Sequence, residues 1–505
     1  MELSNNILAV VEPAIRPTEI KMDALAEEKK DEAEYKQSTM VATLKPFILI
    51  NGYQFAPTDV IRFELNLMGD LPECEIELSD EAGKFAVGSY PRDGDFFTIL
   101  INSKNQETFK SIHMDFDIVE IETSPEVEGG NPTITMEGIA KIPRLFAEDC
   151  QNLDADNSLN HLELVARDLE LGLATNVEAP DDNQPRLQAY ITYADFIKEI
   201  VEDSYISDDA FTKYYIDQYY YLTYVNINKI FNAPNPKLDE VMTVLASFAA
   251  SMSEGAEQEE GGENKGDQVE VPLMLTNHKD TNGMSCYVDK YELINNSSKV
   301  SLAAGYARNI QVYDNNSDKG ERLQEFKVEA LVTEDLPDIE APLKGNEKDN
   351  RYETQVKHKY MGRQNAGEDG LGNTHPNAAF SKLHNMQNKM EIEKMKVKMI
   401  LSSFNPSIYK FQKIPVIMYH YDGQRAEASK QGDYKREEAG FSDQPFSAGK
   451  AEDANDAQQV MDRFLSGHYI IENIDYVIDE PDGGLKQVVT LIRREWPTRI
   501  KNLEE

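Results

Sequence analysis

Residues 390–401 (MEIEKMKVKMIL), 414–421 (IPVIMYHY), 468–479 (HYIIENIDYVID) and 485–496 (LKQVVTLIRREW) are four runs of β-branched and aromatic side chains in one closing segment, with almost no helical spacing between the last two. Such residues fit the pleated, half-buried surface of a sheet, and a segment built from them satisfies its backbone by pairing into a small barrel or sandwich. The first run also sorts its side chains. Met395, Val397, Met399 and Leu401 fall on one side of a strand, and Lys394, Lys396 and Lys398 on the other. The lysine side has two readings: it seats an acidic neighbour across a subunit interface, making these three residues candidate partner contacts, or it keeps an exposed strand soluble and guards it against stray edge pairing.

A second strand-rich block lies toward the other end of the chain. LKPFILING (44–52), VIRFELNLM (60–68), CEIELSD (74–80), FFTILINS (96–103), IHMDFDIVEIE (112–122) and TITMEGIA (133–140) are strand candidates, with turn chemistry at Asn51-Gly52, Gly69-Asp70, Asp93-Gly94 and Gly129-Gly130. The expected fold is therefore mixed but mainly β (α+β): two small antiparallel β-barrels joined by a helical and irregular middle region.

Between the blocks the period changes. After Asp156 and Asn157, either of which caps a helix, Leu159, Leu162, Ala166 and Leu169 recur at helical spacing and Gly172 supplies a stop. A second helix starts at Thr192, with Asp195 three residues on, and buries Phe196, Ile197, Ile200 and Val201. The tyrosine-rich run at 214–231 (YYIDQYYYLTYVNINKIF) reads as a strand with one face on a core and a wetter contact on the other; a ligand-stacking platform is the second reading. A third helix opens at Asn235 and Pro236 and carries Leu238, Val241, Leu245, Phe248 and Met252. The resulting division is a flexible acidic arm (1–42), the first barrel (43–150), a helix and strand domain (151–252), an acidic linker (253–268) too polar to order itself, an irregular strand-rich domain (269–385) and the second barrel (386–505).

Composition limits function. At 505 residues several domains are expected, and a formal charge of −39 is the wrong sign for a protein that neutralises phosphates, so sequence-specific nucleic-acid binding is not expected. The start, MELSNNILAVVEP, has one short apolar run and no basic segment before it, so neither a signal peptide nor a membrane span is expected. Cys74, Cys150 and Cys286 are too scattered for a disulfide framework, which suits folding in a reducing cytosol.

Taken in order, the pieces resemble a known family. PRDGDFFTILI (91–101), FKSIHMDFDIVEI (109–121), TITMEGIAKIPRLF (133–146), SLNHLELVARDLELGL (158–173) and ITYADFIKEIVEDSYI (191–206) are similar to the baseplate hub of contractile phage tails, the superfamily of the late control protein D and of the hub portion of type VI secretion spike proteins. Gly94-Asp95, Leu171-Gly172-Leu173 and Asp195-Phe196 occupy the places of its short motifs, and residues 383–421 and 465–496 resemble the second hub barrel. The resemblance covers roughly residues 44–230 and 380–497, and its weight lies in the order of the motifs.

That resemblance implies a homotrimer in which two barrels per chain alternate around a ring, presenting a pseudo-sixfold surface to a tail tube protein and a threefold face to a central spike protein, with other baseplate proteins around it. The implied place is the virion tail baseplate, assembled in the host cytoplasm. Since no oligosaccharide-binding domain, lysozyme or long β-helix follows Trp496, the spike is expected to be a separate chain. The acid excess either lines a channel that repels DNA during passage or solvates loops. The hub of a bacterial injection particle and a tail-associated peptidoglycan hydrolase are the alternatives.

Chemistry finds little support in the residues. There is no G-x-S-x-G elbow, H-E-x-x-H helix or phosphate loop. Cys150 and His161 are the one pairing that suggests a peptidase, and no further partner set accompanies them. Asp314, Asn316, Asp318 and Glu325 fall at calcium-loop positions, but Lys319 stands where glycine is required, so a polar hairpin loop is expected. No catalytic residue, metal ligand or cofactor is expected.

Overall fold

The computed structural model describes residues 2–4, 7–20, 45–55, 57–80, 83, 85, 88, 90–92, 94–101, 110–124, 132–207, 210–234, 273–277, 287–296, 307–314, 323–329, 355–361, 392, 395–402, 404–405, 408–420, 460–462, 464–479 and 484–493. The chain opens with β1 (Glu2–Ser4) and β2 (Ile7–Val11). A first block follows as β3 (Phe47–Ile50), β4 (Tyr53–Phe55), β5 (Val60–Asn66), β6 (Glu73–Ser79), β7 (Phe96–Ile101), β8 (Ile112–Ser124) and β9 (Thr133–Ala140). The middle holds β10 (Glu148–Asp156), α1 (Ser158–Asp168), β11 (Gly172–Thr175), β12 (Gln184–Thr192), α2 (Tyr193–Glu202), β13 (Thr212–Ile216), β14 (Tyr221–Asn226) and α3 (Ile227–Phe231). Then come β15 (Leu275–Thr276), β16 (Val288–Asn295), β17 (Ala307–Asp314), β18 (Leu323–Glu329) and β19 (Gln355–Met361). The closing segment supplies β20 (Met395–Leu401), β21 (Lys413–Ile417), β22 (Tyr419–His420), β23 (Val460–Met461), β24 (Gly467–Ile478) and β25 (Lys486–Ile492).

The protein is mainly β, but the strands of its two blocks share one large, mostly antiparallel sheet where two barrels were expected. That sheet runs β16-β20-β25-β24-β5-β6-β9-β8-β7-β3-β4, with β21 added on β24 and β15 on β21, and it closes no barrel. The two blocks are joined edge to edge rather than held apart: Asp475 to Ile478 of β24 pair with Asn66 to Phe63 of β5. Each block leaves one strand whose N–H and C=O groups need partners, and the other block's edge satisfies them.

Alternation places the core. In β6, Cys74, Ile76 and Leu78 are buried while Glu73, Glu75 and Glu77 face outward or half outward; in β20, Met395, Val397, Met399 and Leu401 are buried. The central β24 is buried at nearly every position, since it has neighbours along both edges and cover on both faces. Asn51 (φ 49°) and Gly52 (φ 78°) make the left-handed pair of a two-residue hairpin between β3 and β4, as the Asn-Gly dipeptide predicts. On β9, a Cβ at Gly138 would sit 2.5 Å from Cε1 of Phe97, whose ring stacks on Phe116 with centroids 5.3 Å apart. Gly138→Ala is expected to destabilise the protein by about 1–3 kcal/mol, read as a lowered urea midpoint.

The N-terminus departs from the expected arm. Ile7–Val11 pairs with β11, in a sheet ordered β1-β2-β11-β14-β13, and Ile7 is buried. Further along, Ala14 N–H donates to Glu170 O (2.9 Å), and Thr18 donates from its backbone and its hydroxyl to the Asp115 carboxylate (3.1 Å each to Oδ2). A sequence with little helical or strand pattern is held here by its partners. Residues 21–44 lie outside the described residues.

The first two predicted middle helices form. Of the two candidate caps, Asn157 holds α1, its side chain accepting from Asn160 N (2.9 Å). Thr192 caps α2 by accepting from Asp195 N (3.1 Å) and donating to Asp195 Oδ2 (2.8 Å). Gly172 is not the stop. The left-handed turn falls at Glu170 (φ 59°), and Gly172 begins β11, where a Cβ would meet the Tyr221 ring at 2.5 Å and Val11 O at 2.8 Å. The predicted third helix, the acidic linker and most of the loop at 360–376 lie outside the described residues.

Candidate functional site

The single tyrosine-rich strand expected at 214–231 is instead the hairpin β13–β14 followed by α3, and it sits where the N-terminal sheet meets the two strand blocks. Its phenols are tied to the chain itself. Tyr214 donates to Asp70 Oδ2 (2.8 Å), Tyr219 donates to Lys110 O (3.0 Å), Tyr220 accepts from Asp115 N (2.9 Å), and Tyr221 donates to Glu12. Each tyrosine buries a ring and spends its hydroxyl on a different element, which suits a joint better than an open stacking platform. Asp217 forms the turn: Oδ1 accepts from Tyr219 N (2.8 Å) and Tyr221 N (2.9 Å), and burial pushes its carboxyl up to about 6 against those bonds.

Beside this hairpin lies a buried ion triad. Glu472 on β24 takes Lys213 of β13 and Lys396 of β20, each at 2.6 Å, with side-chain exposures of 11%, 18% and 22%. Burial pushes the Glu472 carboxyl up, but the two ammoniums and their hydrogen bonds outweigh it and hold it at about 2. Next to the triad, the buried Lys410 donates to Leu67 O in the turn after β5 and lies 4.2 Å from the Tyr215 ring centroid. Burial, reinforced by Lys213, pushes Lys410 down to about 7. Lys413 donates to Phe231 O and Ala233 O at the end of α3. Together these groups bind strands from both blocks to the tyrosine hairpin.

The lysine face of β20 is thereby divided. Lys396 is engaged with Glu472 inside the chain, Lys398 is half-buried and lowers the carboxyl of Asp475 against the larger upward push of burial, and Lys394 lies outside the described residues. The alternation that singled them out is real; the acidic partner of Lys396 came from β24 of the same chain. Neither Glu472 nor Lys410 carries a motif, and only a charge inside a strand as apolar as HYIIENIDYVI hinted at the triad.

The pairing of Cys150 with His161 does not form. Cys150 is exposed on β10, whereas His161 is fully buried on α1 with Nε2 placed 2.9 Å from Asp154 O. Cys74 is buried, and burial, with Glu75 and Glu64 adding, pushes its thiol well up, away from the reactive thiolate. Cys286 lies outside the described residues, as does the loop at 315–322, whose flanking strands β17 and β18 pair antiparallel as a hairpin. Among the described residues no group of three or more His, Cys, Asp or Glu is placed to hold a metal ion, and no helix is long and apolar enough to cross a membrane.

The motif Gly94-Asp95 gains a physical meaning. Gly94 is left-handed (φ 85°), and Asp95 Oδ2 accepts from both Arg92 N and Asn51 Nδ2 at 2.7 Å, so one carboxylate pins two turns at the entry to β7. Those bonds, the Arg92 backbone N–H first, lower its pKa.

No protein-family model matches the chain, and no curated protein matches it in sequence. Among solved structures it is similar to the 43 kDa tail protein of prophage MuSo2 from Shewanella oneidensis (TM-score 0.46, 8% identity, 89% of this chain and 98% of that one). It is also similar to the tail protein from Neisseria meningitidis MC58 (TM-score 0.48, 6% identity, 90% and 97%). A third is the E. coli c3393 protein, a type VI secretion component with structural similarity to the T4 bacteriophage tail proteins gp27 and gp5 (TM-score 0.39, 10% identity, 90% and 79%). With TM-scores below 0.5, these likenesses carry no functional assignment.

Proposed function

We propose that the chain is a structural component of a contractile phage tail, the baseplate hub, acting as a homotrimer between the sixfold tail tube and the threefold spike and residing in the virion. The observation that supports this most is that one chain carries two strand-rich blocks, in the order of the hub motifs, locked to each other through β5–β24 pairing and the bond from Lys410 to Leu67 O. Three copies of such a chain supply six blocks, which is how a trimer meets a sixfold tube. The two blocks share a sheet, so their relative orientation is set within each chain, as a symmetry adaptor requires. In this reading the chain is not an enzyme, and its partners are further copies of itself, a tube protein, a spike protein and other baseplate proteins.

The test is the mass of the purified chain, alone and with its spike, followed by a reconstruction of the assembled particle. The expected result is three copies in a ring at the lower end of the tube, assembled alone or only with partners. Six copies, or one, would sink the assignment. The expected partner contact of the lysine face now rests on Lys398, because Lys396 is held internally. Lys398→Glu is expected to weaken trimer formation at low salt and to change little at high salt, measured by native mass over a range of ionic strength. Normal assembly at low salt would remove Lys398 from the interface.

A further inference from the structure

Beneath α1 lies a polar cluster that the tail reading does not use. Ser158 and His161, three residues apart on the buried face of α1, are 0% exposed, and Arg186 on β12 is 7% exposed. Among the described residues, His161 Nδ1 and Arg186 Nε and Nη2 have no hydrogen-bond partner, whereas the Ser158 side chain bonds to the Tyr224 phenol. Asp182, also fully buried, stands among them: Oδ1 accepts from Ser158 N (2.9 Å) and Oδ2 from Tyr205 N (3.0 Å). Arg186 pairs with Leu153 across β10 and β12, one residue from Asp154, whose carbonyl meets His161 Nε2, so Arg186 and His161 share one region between α1 and β12.

Buried donors and acceptors are rarely left dry, and a guanidinium least of all. The donor and acceptor pattern selects the guest. A carbonyl oxygen only accepts, so His161 Nε2 carries the proton toward Asp154 O and Nδ1 is left as an acceptor; burial also lowers the ring's pKa and keeps it neutral. Arg186 Nε–H and Nη2–H donate side by side. A guest must therefore accept from Arg186 and donate to His161. A carboxylate or fully ionised phosphate has no proton to donate. Asp203, Asp182 and Glu199 already act on Arg186, so a further anion meets negative charge. Water satisfies both demands and typically makes about three bonds when buried.

We propose that water is enclosed between α1 and β12, bridging the Arg186 guanidinium to His161 Nδ1 and tying the β10–β12 ribbon to the helices. The test is a diffraction map of the full chain at a resolution that shows ordered water, with parallel crystals soaked in sodium bromide. The expected result is spherical density within hydrogen-bond distance of Arg186 Nε or Nη2 and of His161 Nδ1, without anomalous signal. An empty site, or a bromide peak in it, overturns the proposal. In solution, oxygen-17 relaxation dispersion counts long-lived internal waters: His161→Phe is expected to lower that number, and an unchanged number overturns the proposal. Should that variant fail to fold, Arg186→Met, which removes the donors at the other end of the bridge, is read the same way.

Discussion

Replacing Glu472 with glutamine is expected to lower the unfolding free energy by about 3–5 kcal/mol, because it strips the shared counter-charge from two half-buried ammoniums. Lys213 and Lys396 each lie 2.6 Å from a Glu472 oxygen, and both side chains are less than a quarter exposed, so water does little to replace the carboxylate. The amide keeps the shape, and the loss is therefore electrostatic. Urea unfolding measures it as a lowered midpoint at unchanged slope. A triple variant with Glu472→Leu, Lys213→Met and Lys396→Met is expected to recover most of the loss, since an apolar replacement of a whole buried ionic group is often neutral. A Glu472→Gln protein within about 0.5 kcal/mol of wild type would show that the triad does not fasten β20 and β24 to the tyrosine hairpin.

The second large effect is on pH dependence. Lys410 has a folded pKa of about 7 against an ordinary value of 10.5, chiefly through burial. Between those values the unfolded chain holds a proton that the folded chain has released, so this residue makes stability rise with pH from about 7 to 10.5, with a slope of up to about 1.4 kcal/mol per pH unit. Lys410→Met is expected to flatten that window. Asp217 acts in the opposite sense lower down: its folded value of about 6 lies above the ordinary 3.8, so its contribution falls as pH rises between them. Glu472, held at about 2 against 4.5, contributes stability that is complete above 4.5 and lost as pH falls toward 2. Chemical denaturation of wild type and of Lys410→Met at a series of pH values separates the terms. A variant that keeps the full rise above pH 7 would show that Lys410 stays charged in the fold.

Strand identity was legible because it is local. Alternation in ECEIELS and MKVKMIL, the Asn51-Gly52 turn and the caps at Asn157 and Thr192 depend on neighbours a few residues away, and the structure keeps each of them. The misread elements fail for a shared reason. Gly172 has the chemistry of a helix stop, yet what requires glycine there is the Tyr221 ring and Val11 O, both distant in sequence. The run at 214–231 reads as one strand until Asp217 turns it, and the N-terminal residues read as an arm until β11 and Asp115 hold them.

The amino-acid sequence by itself determined that this protein is mainly β, where its two strand-rich blocks lie, which faces are apolar and that its formal charge is −39. Side-chain period and turn chemistry are short-range properties, so they survive without knowledge of partners. Tertiary structure alone decided that the blocks share one sheet through β5 and β24, that the tyrosines form a joint, and that Lys396 faces Glu472 within its own chain. Edge pairing brings together residues from opposite ends of the chain, and the protonation of Lys410 or Asp217 depends on how much water and which charges surround it. Those are properties of neighbours in space, which alternation along one strand does not contain.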